Sequence, residues 1–352
     1  MNVGDLAPNH ARWLSGDSDL NGTVISCRAR LARNIGSISF SARVTADDQD
    51  RVIEDVLKAA QCGTHMSDAT FFKMNALQLQ DRRLLVERHL ISPALAESKG
   101  QRGLLFNPDE SLSIMINEED HMRLQAILPG LQAHDAWASV NALDDDVGTS
   151  LEYAYSDRWG FLTACPTNLG TGLRVSVLVH LPGLVLTEDM DRVKHGLTKM
   201  AFAVRGFYGE GTHPLGNLFQ ISNQATLGVK EEEIIDKLCS ITRQIIGYEE
   251  YAQQSLYKEA KAQVEDKVWR AYGLLSNAQV LSSKEFMNLI SAYRLGLTLG
   301  IVDHVDTGFI NRLMIETQPS HLQAFHGEVL DPDERDVYRA KLVRKHFQKT
   351  TN

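Results

Sequence analysis

"ACPTNLGTGLRVSVLVHLPGL", residues 164–184, joins a cysteine and a proline to a glycine-dotted turn, one arginine and an alternating apolar run. Val175, Val177 and Val179 recur at every second residue, the period of a strand with one face against a core. The stretch reads as a tight turn feeding a strand, with Cys165 and Arg174 at its two ends. Working outward, "TVISC" (23–27) and "SLSIMI" (111–116) read as further short strands. "TADDQDRVIEDVLKAA" places Thr45 as an N-cap three residues before Asp48, followed by an apolar stripe of Val52, Ile53, Val56 and Leu57. "TEDMDRVKHGLTKMAFAVR" predicts a helix from Thr187, with Val193, Leu197, Met200 and Val204 on one face. From about residue 229 the character becomes all-helical. Ile234, Leu238, Ile241 and Ile245 fall in register, Ser282 and Glu285 form a capping box, and Asp331 with Pro332 opens a last helix. The pattern predicts an α+β unit over 1–228 and a helical unit over 229–352.

The chain has 352 residues, room for a large core and about two domains. Its hydrophobic content of 43% marks a globular chain, and its net charge of −9 argues against general nucleic-acid binding. Cys27, Cys62, Cys165 and Cys239 show no metal or redox spacing, which fits a reducing compartment. There is no apolar signal core and no apolar run of the ~18 residues that a membrane span needs, so a cytoplasmic location is expected.

Against that acidic background, arginines gather where elements end. "SCRAR" carries Arg28 and Arg30, whose spacing of two points both to one face of an extended chain. "NEEDHMR" carries Glu118, Glu119 and Arg123, the opening stretch carries Arg174, and "RGFYGEGTHPLGN" carries Arg205 and Glu210. Guanidiniums give planar, permanently charged contacts to phosphate oxygens, so together they suggest a site for a triphosphate. The glycine-rich nucleotide motifs are absent, which leaves the arginines to hold it. Each has a plainer reading: an arginine as a surface ion pair, Glu119 as a helix N-terminal acid, Glu210 as a solvated loop residue, Cys165 as a buried small hydrophobe.

"CPTNLGTGLR" resembles the signature of the ATP:guanidino phosphotransferases, the family of creatine and arginine kinases. "SCRAR", "NEEDHMR" and "RGFYGE" resemble its other active-site blocks, in the family's order, over residues ~20 to ~225. The resemblance implies an antiparallel sheet flanked by helices, of the glutamine-synthetase-like kind. It implies that ATP is bound by Ser26, Cys27, Arg28, Ala29, Arg30, His89, Arg123, Arg174, Val175, Ser176, Val177, Leu178, Arg205, Gly206, Phe207, Tyr208, Gly209 and Glu210. Glu119 matches the catalytic carboxylate, Glu210 a second carboxylate facing the guanidinium, and Cys165 the reactive cysteine. Mg²⁺ is expected on phosphate oxygens and water, without protein ligands.

"LVERHLISPAL", the helical C-terminal part and "RDVYRA" are similar to the bacterial protein-arginine kinases (McsB type) within that family. That branch implies transfer of the ATP γ-phosphoryl group to protein arginines. The partners it implies are protein substrates with accessible arginines, a Clp unfoldase, a stress-gene repressor and a zinc-containing activator, with a homodimer formed through the C-terminal part. It also implies an allosteric phosphoarginine site at Arg335, Asp336, Arg339 and Ala340. Many relatives carry a further helical domain before "SCRAR"; here that block begins at residue 26, and an open site for protein substrates is expected. The rivals are a small-molecule guanidino kinase and an inactive phosphoarginine-binding adaptor.

Overall fold

Ten residues, Val24–Arg33, form β1, the strand around which the sheet is built. The structure is a computed structural model that describes residues 2–16, 22–40, 44–207 and 215–349. Along the chain follow α1 (Ala46–Cys62), β2 (Thr70–Lys73), α2 (Leu79–Glu87), α3 (Pro93–Glu97), β3 (Gly103–Phe106), β4 (Leu112–Ile116), β5 (Met122–Pro129) and α4 (Ala133–Gly148). A small hairpin, β6 (Tyr155–Ser156) and β7 (Gly160–Phe161), precedes β8 (Leu173–His180). Then come α5 (Pro182–Leu186), α6 (Met190–Lys199), β9 (Phe202–Arg205) and β10 (Leu218–Asn223). The remainder is helical: α7 (Glu231–Glu259), α8 (Lys261–Asn277), α9 (Ser283–Thr298), α10 (Thr307–Glu316), α11 (Pro319–His326) and α12 (Pro332–Lys349). Among the described residues the main sheet has eight strands in the order β2-β3-β4-β5-β1-β8-β10-β9, and its pairs are antiparallel.

The two faces of this sheet differ in chemistry. Cys27, Ala29 and Leu31 of β1, Leu124 and Ala126 of β5, and Val175, Val177 and Val179 of β8 turn to one face. There they pack on Val52 and Val56 of α1, Val140 and Leu143 of α4, and Ile234, Leu238 and Ile245 of α7. Each Val, Leu or Ile among them, once buried, contributes about 1.5–3 kcal/mol. This core continues past residue 228, because α7 lies against β8 and β10.

The second face carries two separate apolar clusters: Phe72, Leu104, Phe106 and Met115 of β2–β4 pack on Leu84, Leu85 and Leu95 of α2 and α3, and the other lies under the C-terminal helices. A register shift between Val24 and Ser26 sets Ile25 in a different cluster from Val24 and Cys27, with Ile127, Leu178 and Leu218. Phe286, Ile290, Tyr293, Leu313, Val343 and Phe347 of the C-terminal helices pack on them. His180 completes the contact by bonding Ser291 of α9 at 2.8 Å. Between these two clusters that face is left polar and open.

The helix starts follow their caps. Thr45 and Asp48 exchange bonds at the start of α1, Ser282 accepts from the Glu285 amide, and Asp331 and Glu334 do the same for α12. The segment from Thr187 differs from the expected single helix. It starts at Met190 and ends at Lys199; Ala201 takes a φ of 60°, and Phe202–Arg205 becomes β9 against β10. Met200 and Val204 keep a helical spacing, but the left-handed residue between them reverses the chain.

Arg33, at the end of β1, ties sheet, helix and hairpin together. Its Nε and Nη2 donate to Asp144 of α4 at 2.7–3.1 Å, its Nη1 donates to the carbonyls of Ala32 and Thr171, and its guanidinium lies 3.5 Å from the Phe161 ring centroid. Both partners of the pair are buried, with side chains 2% and 8% exposed. Asp144→Ala leaves a buried guanidinium uncompensated and lowers unfolding stability by about 3–5 kcal/mol, read from urea denaturation. A loss below about 1 kcal/mol contradicts this account of the clamp.

Candidate active site

Strand alternation and register bring the arginines together on the polar part of the sheet's second face. Arg30 sits opposite Arg174 across β1 and β8, and opposite Gln125 across β1 and β5. Arg123 is paired with Ala32, and Arg205 with Gln220. Directly paired residues share a face. Arg28, Arg30, Arg123, Arg174 and Arg205 therefore line one cleft of about 650 Å³, together with His89, Gln125 and Gln220.

Electrostatics there are unfavourable without an anion. Burial first, then the charges of Arg123 and Arg174, push the Arg28 guanidinium down to about 10. Arg30 is held well below the ordinary arginine range by burial, then by Arg28, Arg123 and Arg174; Glu118 opposes this only weakly. The Nε atoms of Arg28 and Arg30 are buried without a hydrogen-bond partner. A polyphosphate oxygen would supply both the missing acceptor and the missing negative charge.

The acidic rim comes from the turn between β4 and β5. Asn117 enters it at φ 59°, and Glu118 turns inward to bond Arg123 Nη1 at 2.7 Å and the Ser92 hydroxyl. Glu119 stays accessible, with its side chain 44% exposed, 3.1 Å from Arg123 Nη2 and 3.5 Å from Asn168 Nδ2. Asp120 is buried and accepts from the Ala164 amide and from Asn34, both at 2.7 Å. That carboxylate fastens the Glu119 turn to the Cys165 loop.

The glycines of the opening stretch now have a physical reason. Gly170 and Gly172 have φ of 106° and 67°. A Cβ on them would lie 2.5 Å from the Thr226 carbonyl oxygen and 2.7 Å from the Ala32 carbonyl oxygen. The loop can press onto β1 and the 226 segment only without side chains there. It carries Cys165, half-buried on the rim, with Sγ 3.0 Å from Thr167 Oγ1.

The sequence of residues 51–252 matches the ATP:guanido phosphotransferase C-terminal catalytic domain, and residues 261–352 match the protein-arginine kinase McsB C-terminal domain. The chain belongs to the ATP:guanido phosphotransferase family. It is similar to the protein-arginine kinase of Halothermothrix orenii, 45% identical over 98% of this chain and 99% of the relative. It is also similar to that of Geobacillus stearothermophilus, 44% identical over 96% and 94%. Among solved structures, the duplicated taurocyamine kinase from Schistosoma mansoni superposes with TM-score 0.59 at 26% identity, over 65% of this chain and 33% of that one. Lombricine kinase shares the fold at TM-score 0.59 and 24% identity, over 71% of each chain. As a member of the family the chain is an ATP-dependent phosphotransferase whose acceptor is a guanidino group.

Not every residue expected at the nucleotide lies in the cleft. Cys27, Ala29, Val175 and Val177 face the helical core on the opposite side of the sheet, because they alternate with the arginines and Ser176. Burial pushes the Cys27 thiol up to about 12, an inert group. Ser26, Ser176 and Leu178 line a small recess beside Arg28, next to His89 and Phe207. Gly206 follows Arg205 at the end of β9. Tyr208, Gly209 and Glu210 lie outside the described residues. Arg339 is 1% exposed and donates from Nε to the Thr317 carbonyl and from Nη1 to the Leu281 carbonyl and to Asp336. Ala340 is buried, while Arg335 and Asp336 lie on the partly exposed flank of α12.

The structure adds Gln125, Gln220, Ser92 and Asn168 to the site. Gln125 follows Arg123 by two residues, and Gln220 sits between Phe219 and Ile221, so period-two alternation was the available signal. Arg30→Ala removes one buried cation from an arginine cluster and weakens ATP binding at least ~10-fold, measured by calorimetry, the scale of one charge-assisted hydrogen bond. Unaltered affinity would show that the polyanion lies elsewhere.

Proposed function

We propose that the chain transfers the γ-phosphoryl group of ATP to the guanidinium of arginine side chains in proteins. The observation that carries this reading is the cleft itself: five arginines on one sheet face, with an accessible carboxylate at the rim. The whole-length relatives that bear the name protein-arginine kinase, and the match of residues 261–352 to a McsB domain, support the choice of acceptor.

In this reading Arg28, Arg30, Arg123, Arg174 and Arg205 hold the polyphosphate and neutralise it as the transferred group loosens. A guanidinium nitrogen bonds to the γ-phosphorus, the bond to the β,γ-bridging oxygen breaks, and ADP leaves with that electron pair. Glu119 orients the guanidinium and takes the proton that the nitrogen loses. Arg123 has two carboxylate partners, so Glu119 can turn to a substrate while Glu118 keeps Arg123 aligned. Mg²⁺, when bound, neutralises charge on the phosphates. In this reading the ion's ligands would be phosphate oxygens and water, with Glu118 and Glu119 the carboxylates that the cleft itself presents. The reading includes an allosteric phosphoarginine site at Arg335, Asp336, Arg339 and Ala340, of which Arg335 and Asp336 are the partly exposed members.

Incubation with ATP and an arginine-rich protein gives phosphoarginine, seen by mass spectrometry at neutral pH and lost in acid as the nitrogen protonates. Phosphate on free arginine alone would make it a small-molecule kinase, and acid-stable phosphoserine would refute the guanidinium acceptor. Glu119→Ala lowers turnover at least ~10²-fold while leaving ATP affinity nearly unchanged, because its contact is with the acceptor. Near-normal turnover of that variant removes Glu119 from the chemistry.

A further inference from the structure

Helix α2 ends in an unusual way. The amide of His89 bonds the Val86 carbonyl at 2.9 Å and that of Leu90 bonds the Leu85 carbonyl at 3.0 Å, the paired bonds of a Schellman stop. The position that glycine normally fills in that motif is His89, at φ 60°. A side chain in this conformation carries a strain that glycine would avoid. The His89 ring enters the cleft between two aromatic edges, 5.1 Å from Trp13 and 4.9 Å from Phe207. Its carbonyl accepts from Gln125 in the same cleft at 2.9 Å.

The two residues before it face the other way, into the C-terminal helices. Glu87 accepts from the amides of Ser320 at 2.8 Å and His321 at 3.0 Å, the open N–H groups at the start of α11. Pro319 begins that helix and Gln318 gives it no side-chain cap, so a carboxylate from far along the chain takes the cap's place. Glu87 also meets His321 Nδ1 at 2.8 Å, and Arg88 meets His321 Nε2 at 3.3 Å. A ring that donates from Nδ1 and accepts at Nε2 satisfies both. Arg88 is anchored in turn on Glu110, with both side chains almost fully buried. Three consecutive residues therefore join the start of α11 to the cleft wall through one rigid helix end.

We propose that Glu87 is a positioning residue for the nucleotide side of the cleft: by seating α11 on the end of α2 it sets where His89 stands, and so couples the docking of the C-terminal helices to nucleotide affinity. This rests on the reading of the cleft as the nucleotide site. Coupling of this kind is reciprocal: whatever factor the seated helix adds to nucleotide affinity, nucleotide adds to the seating of the helix.

The test uses the full chain and Mg-ADP as probe. In the unmodified protein, saturating Mg-ADP slows amide hydrogen exchange in peptides covering residues 318–326. Glu87→Ala raises the KM for ATP by about 5-fold or more, leaves kcat at saturating ATP within about 2-fold, and abolishes the exchange response. Glu87→Gln, which keeps one acceptor oxygen, falls between. If Glu87→Ala does not fold, His321→Asn keeps a donor toward Glu87 but loses Arg88, and shows the same split in smaller measure. A folded Glu87→Ala protein with unaltered KM, or unmodified protein that binds Mg-ADP without any change at 318–326, overturns the coupling alone. Failure of Mg-ADP to bind the unmodified protein overturns the nucleotide reading and the coupling with it.

Discussion

Arg30 and Arg174 stand side by side on adjacent central strands, and burial together with the charges of Arg28, Arg123 and Arg174 holds the Arg30 guanidinium well below its ordinary range. Keeping them there requires a sheet rigid enough to resist their repulsion and a cleft whose ligand brings the missing charge. Both faces of the sheet serve that end. One is sealed by α1, α4 and α7 into an apolar core, and the other is apolar where the C-terminal helices and where α2 and α3 close it. What remains is a polar window on a stiff support, where donors are aimed before the substrate arrives. Preorganised charge of this kind costs no rearrangement at the moment of reaction.

The clamps around the window share a pattern: a buried carboxylate or guanidinium meets backbone groups as well as a side-chain partner. Arg33 holds Asp144 and the Thr171 carbonyl, Asp120 holds Asn34 and the Ala164 amide, and Glu87 holds His321 and the Ser320 amide. A charge bonded to backbone fixes a loop by position more than by sequence. The Cys165 loop and the Glu119 turn are thus registered to each other through Asp120, although no contact between the two motifs could be read from either one.

Much of this was legible in the sequence where it depended on local period. The strand at 174–181, the caps at Thr45, Ser282 and Asp331, and the placing of Arg28 and Arg30 on one face follow from spacing alone. The resemblance supplied the family, but it carried whole motif blocks to the nucleotide. Strand alternation divides those blocks, sending Cys27, Ala29, Val175 and Val177 to the core. The end of α6 was missed because a left-handed residue at Ala201 leaves no trace in hydrophobic spacing. Contacts such as Glu87 with His321 span more than two hundred residues and have no local signature at all.

The register shift between Val24 and Ser26 has a bearing on how such a chain can change over time. It gives β1 one extra residue before the arginines, and from there the strand runs unbroken to Arg33. Inserting or deleting a single residue between Ser26 and Arg30 would exchange the strand's odd and even positions, driving guanidiniums into the core and Ala29 into the cleft. A change of one residue in length between Ser26 and Arg30 therefore keeps the guanidiniums in the cleft only if a second bulge restores the parity, as the shift after Val24 does ahead of them.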